Sequence, residues 1–281
     1  MNQIPKACEI KYAQVGEIKM AYYTRGQGEP LMLIPGYAAT MAMWDPALLD
    51  LLDKNYQLIM FDHRGAGLSS DTIDNNTTIP QMADDAAGLI QALGIKQINI
   101  LAWSMGARVG QQLLIRHPDS IIKGILCAPD PGGIEQVEAD EAVQKVLNDP
   151  NVSAMKETEI LFTNDDAGRL AAKGTMDRIK EAVTNGSAPN DFSMPKETLI
   201  RQARARTTLW SADQSNYENL KNIQIPVMVA GGHFDVIDKP ENATIIANQI
   251  PFSWLTFFDG GHAFLFQNYK KFAETVKVFL S

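Results

Sequence analysis

Residues 102–106 read Ala102-Trp103-Ser104-Met105-Gly106, a serine set among small residues. Gln97 to Leu101 before them reads as a short buried strand, and Ala107 to His117 after them as a helix. A serine at such a strand-to-helix junction has the small-x-Ser-x-Gly pattern of a nucleophile elbow. The tight turn forces the serine into an uncommon backbone conformation and brings strand and helix close together. Only small side chains fit two positions either side. Ala102 stands where the pattern has its first glycine and keeps that steric logic. The turn is expected to lift the Ser104 hydroxyl above the sheet edge. The amide of Met105, at the helix start, then faces any developing negative charge.

The rhythm on both sides extends this unit. Ile10 to Tyr12 and Glu17 to Thr24 read as an antiparallel pair around a turn at Gly16. Leu31 to Ile34 and Tyr56 to Phe61 are apolar runs stopped by Pro35-Gly36 and Asp62, with a helix from Pro46 to Leu52 between them. Ile79 to Leu93 is an amphipathic helix closed by Gly94, and Ile121 to Cys127 is a further buried strand. After a long gap the pattern resumes with strands at Pro226 to Ala230 and Trp254 to Phe258, and helices at Pro240 to Gln249 and Tyr269 to Phe279. Alternating buried strands and helices predict a parallel sheet covered on both faces, with ligands at the carboxyl ends of its strands. The gap holds helical stretches at Glu135 to Leu147, Asp165 to Thr184 and Lys196 to Trp210, punctuated by Asp149-Pro150, Asn185-Gly186 and Ala188-Pro189. It is too long for a plain loop. Residues 130–212 therefore read as an inserted helical cap on a core formed by 1–129 and 213–281.

With 281 residues, 45% of them hydrophobic and 21% charged, the chain has material for one large α/β domain with an insertion. A net charge of -8 excludes the concentrated basic face that a nucleic-acid partner needs. The one basic cluster, Arg201, Arg204 and Arg206, reads as a solvated helix face, with a clamp for an anionic substrate as the alternative. Cys8 and Cys127 lie in separate apolar strand-like runs without metal-ligand or CxxC spacing, and read as two buried free thiols in a reducing cytosol. Met1 to Glu9 has no apolar h-region, and no run reaches the roughly eighteen apolar residues of a membrane span. A cytoplasmic protein without a membrane partner is expected.

Reactive residues belong at strand ends in such a sheet, and three stand there. Ser104 follows one strand. Asp235 follows the Pro226 to Ala230 strand through Gly231-Gly232-His233-Phe234. His262 follows the Trp254 to Phe258 strand through Asp259-Gly260-Gly261. The chain order serine, acid, histidine suits a triad of this type. Asp238 lies on the same loop as Asp235 and is either the acid itself or a cap for the Pro240 helix. His63, His117 and His233 read as structural. His63 sits in the loop between Asp62 and Arg64, His117 at a helix end, and His233 ahead of the acid.

Taken together and in order, these motifs resemble those of the α/β-hydrolase fold family, in its capped serine hydrolase and esterase branch. Leu33-Ile34-Pro35-Gly36-Tyr37 resembles the oxyanion loop, and Phe61-Asp62-His63-Arg64-Gly65-Ala66-Gly67-Leu68-Ser69 the D-x-R-G-x-G-x-S stretch. The elbow, the Gly232-x-x-Asp235 loop and Gly261-His262 complete the set. Pro35 stands where many members carry histidine. The resemblance covers nearly the whole chain outside the insertion. It implies a mostly parallel eight-stranded sheet flanked by helices, with an inserted helical cap. It further implies a Ser104, His262 and Asp235 triad, an oxyanion hole made by the amides of Tyr37 and Met105, and no cofactor or metal. Serine at the elbow separates the chain from the dehalogenase and epoxide-hydrolase branches, which carry aspartate there.

The expected chemistry is cleavage of an ester or related acyl bond in a small, fairly apolar substrate through an acyl-enzyme. The oxyanion donors are worth roughly 3 to 4 kcal/mol each. Trp103, Phe162 and Trp210 are expected to line the substrate pocket, and Met176 and Phe192 to pack inside the cap or face the cleft. Two other readings stay open. One is carbon–carbon bond hydrolysis, perhydrolysis or cofactor-free oxygenation at the same triad. The other is a non-catalytic ligand receptor that keeps the pocket. The motifs carry no information on oligomeric state.

Overall fold

Short apolar runs bounded by turn residues become the strands of one sheet. The computed structural model describes residues 7–72, 77–147, 149 and 152–281; the polar segment 1–6 and Pro150 lie outside these. The strands are β1 (Lys11–Val15), β2 (Ile18–Arg25), β3 (Glu29–Ile34), β4 (Tyr56–Phe61), β5 (Ile98–Trp103), β6 (Ile121–Cys127), β7 (Val227–Gly232) and β8 (Ser253–Phe258). They lie in the order β1-β2-β4-β3-β5-β6-β7-β8. β1 pairs antiparallel with β2, and β2 with β4, while the remaining neighbours are parallel. This is the mostly parallel eight-stranded sheet of the expectation.

Strands covered on both faces must be apolar on both. In β3, Met32 and Ile34 join a core layer with Ile100 and Ala102 of β5, beneath α2 (Ile79–Ala92), α3 (Met105–Arg116) and α9 (Pro240–Gln249). Leu31 and Leu33 point the other way, into the layer beneath α1 (Pro46–Leu52) and α10 (Tyr269–Leu280). Each fully buried leucine or isoleucine in these layers contributes roughly 1.5 to 3 kcal/mol. Local signals set the helix starts. Asp45 accepts the Ala47 amide at 2.9 Å ahead of Pro46, and Thr78 accepts that of Gln81 at 3.1 Å.

Between β6 and β7 the described residues hold helices and no strand: α4 (Glu141–Leu147), α5 (Ala154–Leu161), α6 (Asp166–Thr184), α7 (Lys196–Arg204) and α8 (Gln214–Asn219). A π-helical turn, Ala205–Leu209, continues α7. The helix expected from Glu135 begins only at Glu141, because Gly132 and Gly133 take positive φ and a 3-10 turn follows over Gly133–Glu135. α5 has no counterpart among the expected elements, although Ser153 caps it by accepting the Lys156 amide at 3.3 Å.

Several polar contacts tie this excursion to the sheet. Arg178 of α6 donates to the buried Asp45 from Nε at 2.8 Å. Thr198 of α7 donates to the Gly65 carbonyl at 2.9 Å, and Arg201 pairs with Asp71. The arginine cluster is therefore not a solvated face. Arg204 is exposed, but Arg201 is paired and Arg206 is buried, because this side of α7 is pressed onto the loops at the strand ends. Cys8 also departs from expectation: it is half-buried ahead of β1, its amide donating to Gly186 at 2.8 Å, whereas Cys127 is fully buried in β6.

Candidate active site

β5 ends at Trp103 and α3 starts at Met105, so Ser104 alone makes the turn between them. Its φ and ψ are 58° and -126°, outside every region that a residue with a side chain favours. Such a residue stores on the order of 1 to 3 kcal/mol, held in place by its surroundings. Those surroundings explain the small neighbours. A Cβ on Gly106 would stand 2.3 Å from the Ile34 carbonyl oxygen and 2.6 Å from that of Pro35. The methyl of Ala102 is accommodated because Gly110 lies opposite, where a Cβ would come within 2.9 Å of it.

The side chain of Ser104 is half-buried, and its Oγ lies 2.8 Å from His262 Nε2. His262 Nδ1 lies 2.9 Å from Asp235 Oδ2. An ionised carboxylate only accepts, so Nδ1 carries the proton and Nε2 presents its lone pair to the serine hydroxyl. Asp235 Oδ1 accepts the amides of Ile237 and Asp238 at 2.9 and 3.0 Å, which fixes the carboxylate's rotation. Burial acts to lower the pKa of His262, but the charge of Asp235 and its hydrogen bond outweigh it, and the net shift is upward. The indole of Trp103 donates to the His262 carbonyl at 3.0 Å and so steadies the histidine loop.

Asp238 takes neither of its expected places. Lys239, not Asp238, precedes α9, and it makes no side-chain cap. Asp238 instead accepts from Arg108 Nη2 at 3.0 Å. Arg108 stands one helical turn beyond Ser104, and the same guanidinium pairs with Asp130 and donates to the Arg206 carbonyl at 2.8 Å. A fully buried arginine demands such partners, and that demand draws Asp238 away from the imidazole. Asp130 is pushed up to about 6, chiefly by burial and against the pull of Arg108.

The amides of Tyr37 and Met105 meet no protein acceptor among the described residues. Met105 is the first residue of α3, so its N–H has no partner in the preceding turn. The loop that carries Tyr37 is braced by His63, whose Nε2 donates to the Pro35 carbonyl at 3.1 Å. Burial holds His63 down to about 4, which keeps it neutral. Asp62 holds the turn that follows by accepting the Met41 and Leu68 amides at 2.7 and 2.9 Å.

The three expected pocket residues divide. Trp103 is half-buried and stands beside the imidazole, ring centroids 5.7 Å apart. Phe162 is packed in the core layer on the α1 side, at the end of α5 where Leu161 accepts the Ala263 amide at 2.7 Å. Trp210 is 1% exposed, and its indole donates to Asp130. It is a core anchor at the foot of the insertion rather than a wall of an open pocket. Met176 and Phe192 are 48% and 46% exposed to solvent. Two residues at the site have no local sequence signal: Arg108, legible only as one turn beyond the serine, and Gln202 of α7, which accepts the Ala38 amide at 3.1 Å. Among the described residues no group of three or more His, Cys, Asp or Glu side chains is arranged to hold a metal.

Comparison with known proteins agrees with this fold. The family model for the alpha/beta hydrolase fold matches residues 29–269. A Caulobacter sp. (strain K31) protein provisionally named carbamate hydrolase RutD is 24% identical over 258 residues, covering 90% of this chain and 91% of its own. A Mycobacterium tuberculosis protein provisionally named non-heme bromoperoxidase BpoC is 28% identical over 254 residues, covering 89% and 93%. Among solved structures, an alpha/beta hydrolase fold protein from Chitinophaga pinensis superposes with a TM-score of 0.86 at 25% identity, over 100% of this chain and 99% of the other. The chain belongs to the α/β-hydrolase fold family, and hydrolysis is the coarse activity that this membership and these relatives support. Among the described residues no helix is long and apolar enough to cross a membrane.

Proposed function

We propose that this protein is a cytoplasmic serine hydrolase that cleaves an ester or related acyl bond of a small acyl compound beneath a cap formed by residues 130–212. One observation carries the reading: Asp235, His262 and Ser104 stand in an unbroken row of hydrogen bonds at the carboxyl ends of β7, β8 and β5. Ser104 Oγ attacks the acyl carbon while His262 Nε2 takes its proton. The carbonyl oxygen, now an anion, is received by the amides of Tyr37 and Met105. Collapse of this intermediate breaks the bond to the leaving oxygen, which takes the proton back from Nε2. Water then loses a proton to Nε2 and attacks the acyl-serine, releasing the acid and restoring the hydroxyl. Asp235 keeps its charge throughout and stabilises the imidazolium. The two unpaired thiols suit a reducing compartment.

A fluorophosphonate probe and a panel of p-nitrophenyl esters of increasing acyl length test this. Ser104 is expected to label and at least the short esters to turn over. Ser104→Ala should abolish labelling and lower kcat by about four to six orders of magnitude. A wild-type protein that labels but hydrolyses no ester, while cleaving a diketone-type carbon–carbon bond, refutes the ester reading. One that neither labels nor turns over any substrate is a binding protein.

A further inference from the structure

We propose that Gln202 and Arg206, one helical turn apart on the inserted segment, are positioning residues for the oxyanion hole. The inference rests on the serine hydrolase reading and adds that the insertion builds part of the reaction centre as well as covering it.

Tyr37 bears the oxyanion donor in that reading, and its N–H is useful only if the peptide carrying it holds one orientation. The following residue makes this difficult: Ala38 has φ +54°, a left-handed conformation that alanine adopts reluctantly. Among the described residues no core strand hydrogen-bonds to it. The Ala38 N–H donates instead to Gln202 Oε1 at 3.1 Å, and Gln202 is fully buried. Because an amide nitrogen cannot accept, this bond also decides which way the Gln202 amide is turned. Four residues on, the Arg206 guanidinium lies over the Tyr37 ring with Cζ 4.2 Å from its centroid. Gln202 therefore pins the peptide after Tyr37, and Arg206 pins its side chain. With both held from the same face of one helical run, the direction of the Tyr37 N–H is set.

The other end of this clamp is fixed to the nucleophile. The Arg206 carbonyl accepts from Arg108 Nη1 at 2.8 Å, and Arg108 lies in the first turns of the helix that Ser104 opens. The π-helical turn that begins at Ala205 lets the chain present Gln202 and Arg206 to the loop while Trp210 still reaches Asp130. One segment thus links both proposed oxyanion donors, through Ala38 on one side and α3 on the other. Arg206 also answers the unpaired state of its buried Nε and Nη2: they belong to a cation packed on an aromatic face, not to a lost ion pair.

The test compares Gln202→Leu, which removes the acceptor, with Gln202→Glu, which keeps one. Thr198→Val serves as control, since it deletes a different bond between α7 and the core. With a p-nitrophenyl ester, Gln202→Leu is expected to lower kcat by about tenfold to a hundredfold and leave KM within about threefold, the signature of an interaction made in the transition state. Inhibition by a phenylboronic acid, which mimics the tetrahedral intermediate, should weaken by the same factor. Gln202→Glu should recover most of the loss, and Thr198→Val should keep kcat while lowering Tm. Amide hydrogen exchange on the same proteins needs no substrate. Protection of the Ala38 amide should fall at least about tenfold in Gln202→Leu and persist in Thr198→Val. Unchanged Ala38 protection, unchanged kcat, or an equal kcat loss in Thr198→Val overturns the inference. Failure of the hydrolase reading shows separately, as an unlabelled and inactive wild type, and the exchange experiment still decides the positioning role.

Discussion

Replacing Asp235 and Asp238 one at a time by asparagine separates the two carboxylates of the acid loop. Asp235 has its Oδ1 committed to the amides of Ile237 and Asp238. In Asp235→Asn those donors hold the carbonyl oxygen, so the new NH2 group must face His262 Nδ1. A donor facing Nδ1 forces the imidazole proton onto Nε2, where it points at the serine instead of accepting from it. The wrong tautomer costs about four decades in kcat, or about 5 kcal/mol of barrier. Asp238→Asn acts elsewhere. It takes one of two carboxylates from the buried Arg108 and leaves Asp130 in place. The expected loss is about 2 to 3 kcal/mol of stability, below the full cost of breaking a buried pair, with kcat within about tenfold. The assay is kcat/KM for a p-nitrophenyl ester across about pH 5 to 9, paired with Tm. His262 lies above its usual value of 6.5 against the pull of burial, mainly through Asp235. Wild-type activity should therefore rise as pH climbs through that raised value and His262 loses its proton. In Asp235→Asn burial is left unopposed by that charge, and the limb of any residual activity should move to lower pH. A larger kcat loss in Asp238→Asn than in Asp235→Asn, or an unmoved limb, refutes the assignment.

Gly106→Ala should destabilise by about 3 kcal/mol, because its Cβ would strike two backbone carbonyl oxygens that cannot swing aside; urea unfolding measures it, and a loss below about 1 kcal/mol contradicts the close approach of β3 and α3. His63 supplies a pH prediction. Its folded pKa of about 4 lies below the ordinary 6.5, so its contribution is present above that value and disappears as pH falls toward 4, where the unfolded chain protonates and the folded one resists. That difference is on the order of 3 kcal/mol. His63→Gln should therefore lose less stability than wild type between neutral pH and the acid end, and parallel Tm curves for the two proteins would contradict it.

The fold was readable because it rests on local chemistry. Helix α1 begins and ends where Pro46 and Leu52 mark it, and β4 and β6 run over the residues their apolar patterns delimit. Ser104, Asp235 and His262 each follow a strand end, so their positions were set by the same signals. The insertion was harder to read, since nothing local says which face of a short polar helix meets the core. Arg206 looks like an exposed charge until Tyr37, far away in sequence, is placed against it. Trp210 looks like a pocket wall until Asp130 claims its indole. Asp238 resembles a helix cap until Arg108 needs a second anion. Each misreading concerns a partner over a hundred, or many tens of, positions distant, and periodicity carries no such information.

The excursion leaves the sheet at β6 and rejoins it at β7, and these strands are hydrogen-bonded neighbours. Because they run parallel, it departs from the carboxyl end of one and returns to the amino end of the other, and residues 130–212 close on themselves where the Trp210 indole donates to Asp130. A segment closed at its base in this way can differ in length without disturbing strand pairing. Gln202 adds a condition to that latitude: on the positioning role proposed for it, a replacement segment should support full turnover only if it too brings an acceptor for the Ala38 amide.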